Sequence, residues 1–200
     1  SPTYYDFDAF QEMQATTGGS DPSVAVPGVT LNMVTKRGTN EVHGSARIFD
    51  KPNETEARAN RGAVGPYSKT LGGPTTLKVG SGNSIDHIQD YGVEAGGPLW
   101  PDKAWLWGSY GRNQIDLLQA SGTTDKTTLE DFAGKLNVQP IESNSATGFY
   151  FRGDKLKFGR NSGPTRPQPT SWDQSGPTTI WKGEDSQVFG PNFVVDASYN

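Results

Sequence analysis

The sequence predicts an all-β chain of about seven antiparallel strands in up-and-down order, and three observations lead to this fold class. Hydrophobic residues make up 32% of the 200 residues, and 25 Gly and 14 Pro interrupt the chain, which argues against a large helical core. Aromatic residues cluster in short runs such as 105–107 and 149–151, where they suit a pleated, half-buried surface. Short runs of alternating polarity are separated by gaps of regularly varying length.

The alternating runs define the strands that we expect. After an initial segment they cover 42–50, 88–97, 104–114, 129–138, 145–158, 178–188 and 193–200, each end being defined to within about 2 to 4 residues. In 129–138, Phe132 and Leu136 share one face, and Asp131 and Lys135 share the other. This split predicts an apolar side that faces lipid and a polar side that faces water.

The other strands follow the same rule to different degrees. In 88–97, Tyr91 and Val93 alternate with polar residues, and in 193–200 Val195 and Tyr199 do so. In 145–158 the rule assigns Phe149 and Phe151 to the lipid face, opposite Arg152 and Asp154. The run 178–188 alternates poorly, because Lys182 and Glu184 share a face with Ile180 and Val188.

The gaps between the strands indicate a membrane barrel. The gaps 51–87, 115–128 and 159–177 are long, whereas 98–103, 139–144 and 189–192 are short and carry turn residues. Short periplasmic turns that alternate with long outer loops are typical of an antiparallel transmembrane β-barrel. Aromatic residues near strand ends fit its interfacial girdles, although they would also fit the core of a soluble β domain; they are Trp100, Trp105, Trp107, Trp181 and Phe189.

Charge and motif content point away from nucleic-acid binding and from enzymatic chemistry. The net charge of −4 comes from 18 basic and 22 acidic residues without a long block of one sign, so nucleic acid is not an expected partner. The chain has no cysteine and 2 histidines, His43 and His87, far apart in sequence, so no metal site or cofactor is expected. The carboxylate neighbours Glu130-Asp131 and Glu184-Asp185 would point to opposite faces of a strand, which excludes a catalytic pair within either dipeptide.

Three segments carry a specific resemblance. Residues 28–45 read Gly-Val-Thr-Leu-Asn-Met-Val-Thr-Lys-Arg-Gly-Thr-Asn-Glu-Val-His-Gly-Ser, residues 91–99 read Tyr-Gly-Val-Glu-Ala-Gly-Gly-Pro-Leu, and residues 102–110 read Asp-Lys-Ala-Trp-Leu-Trp-Gly-Ser-Tyr. In this order they resemble the plug-to-barrel junction and the next two barrel strands of TonB-dependent outer-membrane receptors. Within that family the chain resembles the large Oar-like receptors with long surface loops.

The resemblance implies an organisation and a function. Residues 1–41 would be the C-terminal part of a plug domain, with 10–17 as a late plug strand, and 42–200 the N-terminal part of a transmembrane β-barrel. The chain would be a piece of a receptor in the bacterial outer membrane, not an enzyme, that takes up an unidentified small-molecule, glycan or peptide ligand. Its partners would be outer-membrane lipid, lipopolysaccharide and, through a segment missing here, the TonB-ExbB-ExbD complex.

The plug-barrel junction also has a physical interpretation; it comprises Lys36, Arg37, Gly38, Thr39 and Asn40. Gly38 and Asn40 tolerate positive φ, which predicts a sharp turn there, and Lys36 and Arg37 would meet carboxylates or phosphates. An ordinary hairpin corner with solvated charges is the alternative.

The loop 159–177 offers Arg160, Arg166 and Trp172, which could bind a sugar or a peptide by charge and stacking. The alternative is a surface loop without fixed contacts. A different class of protein also remains open, namely a secreted or surface β-sandwich module that binds carbohydrate through exposed Trp and Tyr.

Overall fold

The computed structural model describes residues 5–17, 29–52, 84–119, 123–160, 162 and 166–200, and this part of the chain is all-β and antiparallel, as predicted. A two-stranded sheet contains β1 (Phe10–Thr16) and β2 (Thr30–Thr35). An eight-stranded sheet contains the other strands, which are β3 (His43–Pro52), β4 (Ser84–Trp100), β5 (Ala104–Leu118), β6 (Thr124–Ile141), β7 (Asn144–Arg160), β8 (Trp172–Ser175), β9 (Thr178–Val188) and β10 (Val194–Tyr199). Two short 3-10 turns, Phe7–Ala9 and Gln168–Thr170, accompany them.

The large sheet is an up-and-down meander in the order β10-β9-β7-β6-β5-β4-β3. All seven predicted strands are present. They include β9, whose bounds match the predicted run 178–188 although that run alternates poorly. Strands β4 to β7 are longer than predicted, at 17, 15, 18 and 17 residues. The added end of β6, 124–128, is polar, but backbone pairing continues through it and through the end of β5, as in Leu118 opposite both Ser84 and Thr124. The predicted long gap 115–128 is therefore wrong, because only 119–123 lies between the two strands. A 17-residue strand is roughly 56 Å long at about 3.3 Å per residue.

Tight turns join the strands at one end of the sheet, which we call the turn end. The opposite end of the strands is the loop end. The turns lie within the predicted short gaps, at 101–103, 142–143 and 190–192. Asp102 and Gly190 have positive φ, 62° and 68°, which several types of tight turn require. Most of the first long gap, 53–83, lies outside the described residues.

The connection after β7 is more ordered than the sequence indicates. Strand β9 pairs with β7 only as far as Gly153, so the part of β7 beyond that residue does not pair with β9. The short strand β8 pairs with that edge from Leu156 to Arg160, with a bulge on the β7 side. Gly159 has a φ of 74° there, and a Cβ on it would lie 2.5 Å from the Thr124 carbonyl oxygen. The predicted loop 159–177 is therefore partly strand.

The large sheet has two distinct faces. The inner face contacts the two-stranded sheet and carries the buried Trp107, Ala133 and Phe151. The outer face carries exposed apolar side chains such as Val93 and Phe132. The predicted division of 88–97 and 129–138 into two faces is thus confirmed.

Two assignments of faces are wrong. Phe149 and Phe151 lie on the inner face, because Phe151 packs on Tyr5, with ring centroids 4.5 Å apart, and Phe149 packs on the same core. Trp105 and Trp107 are not girdle residues, because their indole N–H groups bond inward to Asn40 and Glu94, each at 2.7 Å. The other predicted girdle residues are exposed; they are Trp100, Trp181 and Phe189.

Candidate functional site

The contact between the two sheets is the candidate site. We call residues 5–17 and 29–36 the N-terminal hairpin, and the eight-stranded sheet the wall. Within the hairpin β1 pairs with β2, and Met13 lies opposite Met33. β2 therefore belongs to the hairpin sheet, and β3 pairs with β4 in the wall. The chain passes from one sheet to the other through residues 36–42, which include the plug-barrel junction 36–40.

Lys36 joins the hairpin to the wall. Its backbone N–H donates to the Ala9 carbonyl at 2.9 Å, and its Nζ lies 3.1 Å from Oε1 of Glu94. Glu94 is only 6% exposed, and it also accepts hydrogen bonds from Ser45 and Trp107. A buried carboxylate is stable only when it is paired and hydrogen-bonded, and these three donors meet that requirement. The structure thus places Lys36 on a carboxylate.

Gly38 is required for a reason other than the predicted one. Neither Gly38 nor Asn40 has positive φ; the described residues with positive φ are Asp102, Gly159 and Gly190. Gly38 is buried against the backbone of β4 and β5, and a Cβ on it would lie 2.5 Å from the Leu106 carbonyl oxygen. The junction therefore runs flat across the wall, where only a residue without a side chain fits.

Asn40 ties the junction to the β4-β5 turn. Its Oδ1 accepts hydrogen bonds from the Asp102 N–H at 2.9 Å and from Trp105 Nε1 at 2.7 Å, and its Nδ2 donates to the Asp102 carboxylate. Thr39 Oγ1 donates to the Glu41 carbonyl at 3.0 Å. Arg37 is exposed and lines a cavity of about 390 Å³ with Trp105 and Asn137. The five predicted junction residues thus lie together.

A second contact, at the start of the hairpin, is not apparent from the sequence. Arg47 on β3 pairs with Asp6 at 3.0 Å and with Asp90 at 2.8 Å, and it also reaches Asp8. Gly111 makes room for Asp6, since a Cβ on Gly111 would lie 2.4 Å from Oδ2 of Asp6. Parity places Arg47 on the same face as Glu94, but sequence offers no signal that the hairpin start docks there.

Tyr5 supplies the apolar part of this second contact. Its ring packs on Phe151 and also lies 5.7 Å from Phe10, edge to face. Burial raises the pKa of the Tyr5 hydroxyl, and the Asp131 carboxylate adds to this effect, so the phenol stays neutral. One register step nearer the turn end than Glu94, Lys135 donates to Thr35 Oγ1 at 3.0 Å. The hairpin is therefore attached to the wall at three levels.

The loop candidates are brought together in part. Arg160 and Trp172 are register partners on β7 and β8, and Arg160 also donates to Gln174. Trp172 is 65% exposed. Arg166 is exposed and forms an isolated β-bridge. Gln168 Nε2 donates to the Thr124 carbonyl at 3.3 Å, so the described part of this loop does have fixed contacts.

The outer face of the wall carries a continuous apolar belt, which comprises Val93, Leu106, Phe132, Leu136, Tyr150, Trp181 and Tyr199. Phe132 and Trp181 are 50% and 63% exposed. Toward the loop end the belt stops at charged residues, where Arg112 pairs with Glu130 at 3.3 Å and Arg152 with Asp154 at 3.0 Å. Along β6 the apolar stretch from Phe132 to Val138 is roughly 20 Å long, close to the ~25 Å apolar band of membrane barrels.

The described ranges contain neither a metal-binding cluster nor a membrane-spanning helix. No group of three or more His, Cys, Asp or Glu side chains among these residues could hold a metal ion. No helix among them is long and apolar enough to cross a membrane. His87 lies 2.6 Å from Asp50, and His43 lies 3.2 Å from the Glu41 carbonyl, so each has a local partner.

Comparison with known proteins gives one similarity. No family model matches the sequence, and no solved structure matches the chain. The TonB-dependent transporter Oar of Myxococcus xanthus is 30% identical over 111 residues. The aligned region is 55% of this chain and 9% of the transporter, so the chain corresponds to a small part of that protein. This similarity supports a relationship to TonB-dependent receptors.

Proposed function

We propose that the chain is part of a TonB-dependent outer-membrane transporter, in which residues 42–200 form part of the barrel and residues 1–41 the end of the plug. The observation that carries this proposal is the difference between the two faces of the wall. Its outer face has an exposed apolar belt of membrane height, while its inner face holds the polar contacts with the hairpin.

The topology supports the same function. The sheet is up-and-down and antiparallel, with tight turns at one end; the connections at the other end range from 119–123 between β5 and β6 to 53–83 between β3 and β4. Short turns at one end and longer connections at the other are the arrangement of membrane barrels. Strands of 15 to 18 residues exceed the ~9 to 11 residues that cross a bilayer. The excess lies at the loop end, beyond the Arg112-Glu130 pair, where it would project from the outer surface.

Similarity to the Oar transporter supplies the proposed activity, which is energy-coupled uptake of an unidentified ligand rather than catalysis. The belt would contact outer-membrane lipid and lipopolysaccharide, and the TonB-ExbB-ExbD complex would act through a segment outside this chain. Trp172 and Arg160 at the loop end would be available for a sugar or peptide ligand.

The carbohydrate-binding β-sandwich is less well supported. A sandwich buries the apolar faces of two sheets against each other. Here Val93, Phe132 and Leu136 lie on the face directed away from the hairpin and are exposed. A sandwich of the described strands would leave this surface in water.

Membrane fractionation of the complete protein tests the proposed function. We expect it in the outer-membrane fraction, resistant to alkaline extraction and released by detergent, because the belt requires an apolar surrounding. Recovery of the complete folded protein from the aqueous fraction without detergent would contradict the proposal.

A further inference from the structure

Two adjoining cavities lie on the inner face of the wall, near its turn end. Their volumes are about 390 and 240 Å³, and Thr147 lines both. The junction and β2 form one side of this space, and β5, β6, β7 and β9 form the other. A water molecule occupies about 30 Å³ in the liquid, so each cavity has room for a small hydrated solute. Because this chain already builds both sides, the remaining space suits such a solute better than a folded segment.

The side chains that line the two cavities carry an excess of positive charge. The cations are Arg37, Lys135 and Lys182, whereas Glu184 is the one carboxylate in the two linings. Within the part of the chain that the structure describes, the side chains of Arg37 and Lys182 make no hydrogen bond or ion pair. Lys135 donates to the hydroxyl and the carbonyl of Thr35, at 3.0 and 3.4 Å, and both acceptors are neutral. Most of the positive charge in the cavities is therefore not neutralised.

Strand register places the cations around the same space. Lys135 lies opposite Phe149 on β7, and Phe149 lies opposite Lys182 on β9. The two lysines thus share one row, two strand spacings apart, which is roughly 10 Å between their Cα atoms. Arg37 approaches from the junction and acts on Lys135 as a nearby like charge. Three separate segments therefore direct cations to these adjoining cavities.

A neutral hydrogen-bond donor lies one row nearer the turn end. There Asn137 is opposite Thr147, and Thr147 is opposite Glu184. Thr147 Oγ1 accepts a hydrogen bond from Asn137 Nδ2 at 2.9 Å, which leaves its own O–H for another acceptor. No acceptor for this O–H lies within the described ranges. Cations together with a hydroxyl donor suit the oxygen atoms of a phosphate or a carboxylate.

We infer that the two cavities form a binding site for a small oxyanion, a solute with phosphate or carboxylate groups, held by Arg37, Lys135 and Lys182. The inference goes beyond the proposed function, because the site is built from contacts within this chain and does not require a membrane. A bound oxyanion offsets the repulsion among the three cations and links the junction to β6 and β9. In the proposed orientation of the wall the site lies on the periplasmic side.

Calorimetric titration of the complete folded protein tests the inference, with inorganic phosphate and citrate as probes at constant ionic strength in sodium chloride. We expect binding of at least one probe. Arg37→Gln and Lys182→Gln should each weaken it by about tenfold, since each removes one charge-assisted hydrogen bond. Lys126→Gln is the matched control, because it removes the same charge from a residue that lines neither cavity. Its affinity should stay within about twofold of the parent, since distant charges are screened.

Binding that weakens in both cavity variants and persists in Lys126→Gln supports the site, and the probe that binds shows whether phosphate or carboxylate is preferred. Absence of binding to the parent protein would overturn the inference. Equal weakening in Lys126→Gln would also overturn it, since the effect would then be one of net charge. Lys182 is exposed, so Lys182→Gln carries the test if Arg37→Gln does not fold. Membrane fractionation is independent of this titration, so failure of the site and failure of the proposed function are distinguishable.

Discussion

Trp107 donates its indole N–H to the Glu94 carboxylate at 2.7 Å. Both residues are buried, with exposed fractions of 0% and 6%. The pair joins β5 to β4 on the inner face, directly beneath Lys36. It explains why a tryptophan, rather than an aliphatic residue, occupies this point of the wall. The same carboxylate receives the last residue of the hairpin, so strand packing and hairpin attachment depend on one group.

Trp107→Phe tests this arrangement. The phenyl ring fills most of the indole volume but cannot donate, so one Glu94 oxygen loses its partner in a buried site. We expect a loss of about 1 to 3 kcal/mol in the free energy of unfolding. Urea unfolding of the complete protein in detergent measures it. Trp100→Phe, at an exposed position, should change stability by less than about 0.5 kcal/mol.

Gly38→Ala tests the close approach of the junction to the wall. The new Cβ would lie 2.5 Å from one backbone oxygen and 2.9 Å from another, and backbone cannot yield as a flexible side chain can. We expect a loss of about 1 to 3 kcal/mol. Gly148→Ala is the matched control, because a Cβ there meets nothing within 4 Å. Equal thermal stability of the two variants would show that the junction does not lie flat on β4 and β5.

Arg47→Gln tests the second contact of the hairpin. The substitution leaves Asp6, Asp8 and Asp90 close together without their shared cation, so residues 5–17 should separate from the wall more often. Hydrogen exchange followed by mass spectrometry should show faster exchange in 5–17 and unchanged exchange in β6. Arg112→Gln removes an arginine from the outer face and serves as control. Identical exchange in 5–17 for both variants would argue against an anchoring role of Arg47.

Leu136→Lys tests the assignment of the outer face. Leu136 lies in the belt and is 39% exposed, so a lysine there should cost about 2 to 4 kcal/mol if the position is near the bilayer midplane. Asn137→Lys, one residue later, points to the inner cavities and should be mild. Unfolding of the two variants in lipid vesicles gives the comparison, and equal tolerance would mean that the faces are assigned wrongly.

The strands could be predicted from sequence because most of them alternate and the gaps carry turn residues. The predicted run 178–188 coincides with β9, although Lys182 and Glu184 interrupt its apolar face. Those two side chains line a cavity on the inner face, so the interruption reflects a polar interior rather than a missing strand. Polar strand ends such as 84–87 were not predicted, since backbone pairing alone extends them.

The faces and the site were harder to predict, because they depend on what docks against the wall. The sequence assigns Phe151 to the lipid face, and only its contact with Tyr5 shows that it lies on the inner face. The sequence indicates a turn glycine at Gly38, and only its close approach to the backbone of Leu106 shows why a side chain does not fit there. The five junction residues were predicted through their resemblance to a known motif, whereas Arg47 and Asp6 belong to no such motif. Their pairing is a contact between distant segments that no local pattern records.

The orientation of the wall is the most direct test of the whole account. Single cysteines at Thr170, at the loop end, and at Asn192, in the β9-β10 turn, can be introduced without disturbing buried groups, since both positions are exposed. In the complete protein on intact cells, a membrane-impermeant thiol reagent should label Thr170→Cys and spare Asn192→Cys until the outer membrane is permeabilised. Labelling of Asn192→Cys with protection of Thr170→Cys, or labelling of both on intact cells, would contradict the account.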